Sequence, residues 1–434
     1  MTGNSITKTI QSIMKKRIFS RLLILVFFYG YIPVVAQPSL QICHIAAGKG
    51  DASLFLISDI VTVASIGGTQ KVQTKCAILI DGQYSGTQGT EVWRSIKAAI
   101  AANSNFAGRD TIDFIIASHL HTDHIGGLTQ VMQGITKEKW ITTGLITRSV
   151  LDIPQTCPKP ATNTTTLTNF GHAVSGYNAA HPTTPVIQYA VIPPMNILSI
   201  TNFPNFSMEC VAANGVTIAT PITSPTSYKY FIPLSNSKGC YENINENDLS
   251  FGFLLSFQGF HYLTMGDLGG SVCTNRYADG ETAVTKYLKT KFSNDYYHLC
   301  ALKINHHGSL CSTDMPFVTS NRPTLAVIPS DLTSYQGTVL PQQQVINNLS
   351  TGGALINYTF IPASTTIPDP YATGGNLRYY NDVTLTIINP SKNQSLQFSV
   401  TQQAKQKNGD GTFTPVAYWT NNPQTINCSK GHNW

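Results

Sequence analysis

The sequence predicts an α/β protein in which buried strands alternate with helices. Three observations carry this. Short apolar runs rich in β-branched and aromatic residues recur along the chain, each bounded by Gly, Asp or His. Helix-like stretches separate several of them, and strands alternating with helices imply layers of each. The composition, 42% apolar and 10% aromatic over 434 residues, is that of a globular chain.

In chain order, strands are expected at 40–45, 54–57, 76–80, 112–117, 250–257, 260–265, 301–304 and 324–328, with further strands at 383–388 and 396–400. Helices are expected at 91–102, 127–133, 281–291 and 341–349. Residues 160–208 contain no Asp, Glu, Lys or Arg and are rich in Thr, Asn and Pro. They read as a functional lid or a disordered insert. After 400 the chain reads as an irregular extension, 401–434.

The first 36 residues stand apart. Lys15, Lys16, Arg17 and Arg21 precede an apolar run from Leu22 to Ile32, and Val34-Val35-Ala36 ends it with small residues. This is the pattern of a secretory signal cleaved near Ala36, and the run is too short to span a bilayer. Removing 1–36 takes away five of the 28 Lys and Arg and none of the 22 Asp and Glu, so the remainder carries 23 − 22 = +1. The apparent basicity therefore gives no nucleic-acid footprint. The mature chain, secreted or periplasmic, would have no stable membrane insertion. Nine cysteines without a CxxC pair exclude a zinc knuckle. Export permits disulfides, with Cys240/Cys273 and Cys300/Cys311 as candidate pairs and buried free thiols as the alternative.

The chemistry is concentrated after the run at 112–117, where Ser118-His119-Leu120-His121-Thr122-Asp123-His124 leads into Gly126-Gly127. Three imidazoles and a carboxylate so close together suit a borderline metal such as zinc. His119 and His121 are two apart, so in extended chain both side chains leave on one side and can share a metal. Asp123 and His124 sit where the chain turns and can reach a second metal. No GxxxxGK[ST] phosphate loop and no G-x-S-x-G nucleophile elbow is present.

The motif resembles that of the metallo-β-lactamase superfamily. The resemblance implies an αββα sandwich, with two mixed sheets packed face to face and helices outside, spanning 37–400. It implies a dinuclear hydrolase with two divalent ions, zinc expected and manganese or iron as alternatives. Asp267, after the run at 260–265, would bridge both metals. In Asn305-His306-His307-Gly308-Ser309, His306 would be the last ligand of the second metal. His307 and Ser309 would face substrate, and Asp123 would also orient the attacking water. The superfamily's middle histidine has no clear counterpart: His172, His181, Asn247 or a water could fill it. A finer resemblance is to the hydrolase domain of ComEC-type DNA-internalisation proteins and its stand-alone relatives. It rests on Gly48-Lys49-Gly50-Asp51-Ala52, on the stretch ending in Asp81-Gly82, on Glu246-Asn247-Asp248-Leu249-Ser250 and on His306-His307-Gly308-Ser309. Lys49, Ala46-Ala47 and Leu340-Pro341 depart from that branch. Asp81 and Asp51 read as carboxylates that orient a ligand or a turn. The branch implies phosphodiester hydrolysis of a small-molecule or polymeric substrate, nucleic acid included. A lactone, amide or thioester hydrolase, or a non-catalytic binding protein, could use the same scaffold. Oligomeric state is not legible.

Overall fold

The computed structural model describes residues 37–65, 68–148, 162–200, 203–218, 228–232, 244–292, 299–331, 334–335, 337–351, 358–362, 377–380, 382–388, 396–403, 405–407, 413–415 and 424–428. Residues 1–36, where a secretory signal is expected, lie outside the described residues, as do Cys157 and Cys240.

The first strands are β1 (Ser39–His44), β2 (Ser53–Ser65), β3 (Gly68–Ile80), β4 (Thr111–Ile116), β5 (Ile141–Ile146), β6 (Ile187–Tyr189), β7 (Phe206–Ala213), β8 (Val216–Ile218) and β9 (Tyr228–Tyr230). Then come β10 (Gly252–Phe257), β11 (Phe260–Thr264), β12 (Ala301–Lys303), β13 (Leu325–Val327), β14 (Tyr358–Pro362), β15 (Leu377–Tyr380), β16 (Asp382–Ile388), β17 (Leu396–Gln403) and β18 (Gln424–Cys428). The main helices are α1 (Thr87–Ala102), α2 (Leu128–Glu138), α3 (Thr164–Ala180), α4 (Gly280–Lys291), α5 (Met315–Asn321) and α6 (Gln343–Thr351).

Among the described residues two nine-stranded sheets form, in the orders β18-β17-β16-β1-β2-β3-β4-β5-β6 and β15-β14-β13-β12-β11-β10-β7-β8-β9. Both are mixed. Strands β3 to β6 are parallel, and so are β11 to β15, while the remaining pairs run antiparallel. Parallel neighbours need crossovers. Helices α1, α2 and α3 supply them in the first sheet, and α4, α5 and α6 in the second.

Side chains alternate along each strand, and both faces are buried, which explains why the strands read as continuous apolar runs. Leu40, Ile42, Phe55, Ile57 and Ile78 meet Phe253, Leu255, Phe257 and Tyr262 between the sheets. Their alternates, Leu54, Leu56, Ala77 and Leu79, pack under Val92 and Ile96 of α1, Leu128 and Met132 of α2, and Phe170 and Tyr177 of α3. On the far side Leu254, Leu263 and Leu302 pack under Val284, Leu288, Phe317 and Val345. The layers are therefore helix, sheet, sheet, helix.

The structure differs from expectation in three places. The insert at 160–208 is not a structureless lid. Asn163 caps α3, its side chain accepting from Thr166 N at 3.0 Å. The buried stripe Thr166, Phe170, Ala173, Tyr177 follows helical spacing, and Tyr177 Oη donates to Thr142 O at 2.9 Å. The tail is not merely irregular either. β18 pairs antiparallel with β17, so residues beyond 400 complete the first sheet. Among the described residues the disulfides are Cys273–Cys311 and Cys300–Cys428, so Cys273 pairs with Cys311 and not with Cys240, and Cys300 pairs with Cys428 and not with Cys311. Cys43, Cys76 and Cys210 are buried. Sequence spacing fails here because pairing depends on which segments the fold brings together: the loops after β11 and β12 for Cys273–Cys311, and strand ends of the two sheets for Cys300–Cys428.

Cys300–Cys428 ties the second sheet to the last strand of the first. With a sequence separation of 128, loop-closure entropy alone gives the bond about 5 kcal/mol. Replacing Cys428 by Ser should lower the thermal midpoint by roughly 6 °C for a domain of this size. An unchanged midpoint by circular dichroism would mean that the bond does not form.

Candidate metal centre

The carboxyl ends of the parallel strands from both sheets meet, and loops there carry the chemistry. Asp81 follows β3, His119 follows β4, Asp267 follows β11, and His306 and His307 follow β12. Glycine lets these loops approach closely. A Cβ on Gly50, whose φ is +104°, would lie 2.1 Å from the backbone oxygen of Asp123. Gly127 is right-handed helical, with φ −74°, and is needed because a Cβ would lie 1.8 Å from Gly82 O. Close packing, rather than a special turn, explains this glycine.

His119 Nε2 and His121 Nδ1 are 3.0 Å apart, and His119 Nε2 is 3.8 Å from Asp267 Oδ2. His306 Nε2 is 3.9 Å from the same oxygen. On the other side, His307 Nε2 lies 3.3 Å from Asp123 Oδ2, 3.2 Å from His124 Nε2 and 3.5 Å from Asp267 Oδ2. Asp267 Oδ1 is 3.3 Å from His124 Nε2. Two donor groups, His119/His121/Asp267 and Asp123/His124/His307, face each other with Asp267 between them, while in a third cluster, Asp51/Asp81/His124, the carboxylates are engaged by Lys303, Ser118 and the His124 ring. Tetrahedral coordination at about 2.1 Å places ligand atoms about 3.4 Å apart, and the separations above, 3.0–3.8 Å within the two groups, scatter around that value.

Hydrogen bonding fixes which nitrogens are available. His307 Nδ1 lies 2.9 Å from Pro329 O, which only accepts, so Nδ1 carries a proton. His124 Nδ1 lies 2.8 Å from Asp81 Oδ2 and donates to it. Each neutral ring therefore aims a bare Nε2 lone pair at the other across 3.2 Å. Such an arrangement needs a cation or a proton between the two. Burial opposes protonation of His124 and His307, yet Asp267 with Asp81 raises the first, and Asp267 with Asp123 raises the second. Burial opposes ionisation of Asp267, but His124, His307 and His306 hold its carboxyl well below the usual range. Against the same burial, Asp123 is held at about 2 by its bond to His307 and by His124. Burial pushes His306 down to about 4.

Further groups support the ligands. Asp81 accepts from both Ser118 N and Ser118 Oγ at 2.7 Å. Glu246 Oε1 accepts from Leu120 N, between the two leading histidines, at 2.9 Å, and Arg148 Nε and Nη2 grip its carboxylate. The buried ammonium of Lys303 pairs with Asp51 and donates to Gly266 O at 3.1 Å, next to Asp267. Burial opposes the charge on Lys303, while Asp51 and Asp267 raise its pKa.

Four expectations need correction. The histidine grouped with Asp123 and His124 is His307, not His306. His306 and His307 both have left-handed backbone, φ 48° and 53°, which turns their rings to different sides. Such conformers cost about 1–2 kcal/mol each. Ser309 does not line the cleft; its N–H donates to His306 O at 2.8 Å and its Oγ accepts from Cys311 N at 3.4 Å, so it shapes the turn. His172 is exposed on α3, beside a separate groove with Gln133 and Lys137. His181 stacks on Tyr177 at 4.2 Å, and neither joins the donor groups. Asn247 does reach the site, with Nδ2 3.2 Å from His306 Nε2.

Sequence reasoning gave no role to Arg148, Lys303, Tyr277 or Pro329. The lone Lys between Leu302 and Ile304 was the one available signal, because a charge inside an apolar strand needs a buried partner.

The donor set fits a pair of divalent cations. It offers imidazole nitrogens and carboxylate oxygens without thiolate, and Asn247 Oδ1 is buried there without a hydrogen-bond partner. Residues 72–147 match the family model of the Metallo-beta-lactamase superfamily. The stretch runs from within β3 through β5 and contains the whole His119–His124 segment. The two mixed sheets between helices are the metallo-β-lactamase fold. Several solved structures are distantly similar. The metallo-beta-lactamase fold protein YhfI from Bacillus subtilis shares 8% identity over 79% of this chain and 97% of its own, with a TM-score of 0.33. A diphosphatase of the PhnP family shares 10% over 80% and 97%, with a TM-score of 0.34. Zn(2+)-bound PqqB from Methylobacterium extorquens shares 10% over 61% and 72%, with a TM-score of 0.27. Likeness at this level says nothing of what this chain acts on. No curated protein matches the sequence.

Proposed function

We propose that this protein is an exported phosphodiesterase that uses two divalent metal ions. One observation carries the reading: two donor groups share the carboxylate of Asp267, and in His124 and His307 an acceptor behind the ring holds the proton of the neutral imidazole on Nδ1, which leaves Nε2 as the donor atom facing the site. His119, His121 and Asp267 would hold one ion, with His306 alongside. Asp123, His124, His307 and Asp267 would hold the other. Zinc suits this set, with manganese or iron as alternatives. Bound metals would lower the pKa of water and stabilise charge developing on phosphoryl oxygens.

The chain's own residues would do the rest. Asp81 and Pro329 O keep the ring protons of His124 and His307 turned away from the reacting side. Asp123, held ionised, can orient the attacking water through its carboxylate. The cleft, about 380 Å³, is lined by His121, Asp123, Asn247, His306 and His307, with the cations Lys49 and Arg276 and the carboxylate of Asp331 around them. Two cations beside the reaction centre favour an anionic phosphodiester, and the ComEC-type stretches agree with that class. The apolar lining from Ile244, Tyr277, Pro329 and Leu340 is what a neutral acyl substrate would favour instead. The basic-then-apolar segment at 1–36 and the two disulfides among the described residues support export to an oxidising compartment. No described helix is long and apolar enough to cross a membrane.

The zinc-loaded protein should hydrolyse bis-p-nitrophenyl phosphate and leave a lactone and a β-lactam panel essentially untouched. Lactone turnover beside phosphodiester inactivity would reject the phosphodiesterase reading and keep the metal centre. Inactivity toward all three classes would favour a binding protein.

A further inference from the structure

The loop after β12 holds three successive left-handed residues, His306, His307 and Gly308, with φ of 48°, 53° and 79°. Two of them are not glycine, so the conformation persists only if the surroundings impose it. The loop's ends show how. Asn305 Nδ2 donates to Glu281 Oε1 at 2.6 Å, and Thr313 N donates to the same oxygen at 2.6 Å. Asn305 N donates to Thr313 Oγ1 at 3.3 Å, and Ser312 Oγ donates to Asn305 O at 2.8 Å. Asp314 N lies 3.4 Å from Glu281 Oε2. One carboxyl oxygen thus bridges the residue before the two histidines and the residue that closes their loop.

Glu281 also touches the other ligand loop. Its own N–H donates to Gly269 O at 3.1 Å, and Gly270 passes so close that a Cβ would lie 2.5 Å from Glu281 Oε2. Residues 269 and 270 lie two and three positions after Asp267. The side chain is 1% exposed and lies in the first turn of α4, a rigid element packed through Val284 and Leu288.

We propose that Glu281 is a positioning residue that clamps the His306–His307 loop in its left-handed conformation against the Asp267 loop, and so sets metal affinity without touching metal or substrate. The proposal rests on the dinuclear reading for its metal arm and on loop geometry alone for its second arm. Burial pushes the Glu281 carboxyl up to about 8, so a neutral amide of the same shape can replace it. Glu281→Gln keeps an acceptor for Asn305 and Thr313; Glu281→Ala removes it. Loss of a partner that orients a ligand weakens metal binding by about 10- to 100-fold.

The test compares the whole protein with Glu281→Ala, Glu281→Gln and Asn305→Ala, each stripped of metal and titrated with cobalt(II) against a competing chelator. Hydrogen exchange of 305–313 is followed in the metal-free state. Glu281→Ala should lose about 10- to 100-fold in affinity, most for the equivalent held by His307, with faster exchange across the loop. Asn305→Ala should do the same, and stands in for Glu281→Ala if that variant does not fold. Glu281→Gln should stay within about threefold of the parent in affinity and in exchange. Parent-like affinity and exchange in both alanine variants would overturn the clamp, as would a glutamine variant as impaired as Glu281→Ala. Absence of cobalt binding by the parent itself would defeat the metal reading, and exchange of the loop would still decide whether Glu281 holds it.

Discussion

Replacing Asp267 by Asn is expected to empty both metal positions and to reduce phosphodiester turnover by at least ~10³-fold, while the fold survives. The reason is the sharing of one carboxylate. Asp267 Oδ2 faces His119, His306 and His307, and Oδ1 faces His124. An amide offers one weak oxygen donor and no charge, so each group loses its only common anion. The fold should survive because Asp267 lies at a loop whose backbone is held independently, through Asp267 N to Ser250 Oγ at 3.2 Å and Lys303 Nζ to Gly266 O. Removing one donor that stabilises developing charge typically costs 10²–10³-fold, and losing two cations should cost more. Metal content by plasma emission, together with circular dichroism, checks the claim. Two retained metals in a folded Asp267→Asn protein would mean that the bridging role is misassigned.

The second large effect separates the adjacent histidines. Calorimetric titration of metal-free protein with zinc should show two equivalents in the parent. In His307→Ala the equivalent held by Asp123 and His124 should weaken by at least ~10²-fold and turnover should collapse, because a ligand and not merely its support is removed. In His306→Ala that equivalent should change less than about tenfold, and the one held by His119 and His121 should weaken instead. The opposite pattern would restore the order first read from the sequence.

Much of this was legible beforehand, and the failures share a cause. The strands and helices that position the site follow apolar periodicity, and His119, His121, Asp123 and His124 lie in one short segment whose register is fixed by β4. Asp267 was legible through the resemblance, which expects an acidic ligand shortly after the buried strand at 260–265. The order of His306 and His307 was not legible. Their left-handed backbone depends on Glu281 and Thr313, and the proton that frees His307 Nε2 goes to Pro329 O. Those partners come from three other elements, so no local pattern announces them. The same holds for Cys300–Cys428, which joins strand ends far apart in sequence. The insert was misread because a missing charge was taken for missing structure, although the stripe of Thr166, Phe170, Ala173 and Tyr177 marks a docked helix.

The central claim is that donors from both sheets converge on two cations. Crystals grown with zinc and measured on either side of its absorption edge test it most directly. Two anomalous peaks should flank Asp267, one against His119 and His121 and the other against Asp123, His124 and His307. No peak at Asp267, or a single peak away from these side chains, would contradict it.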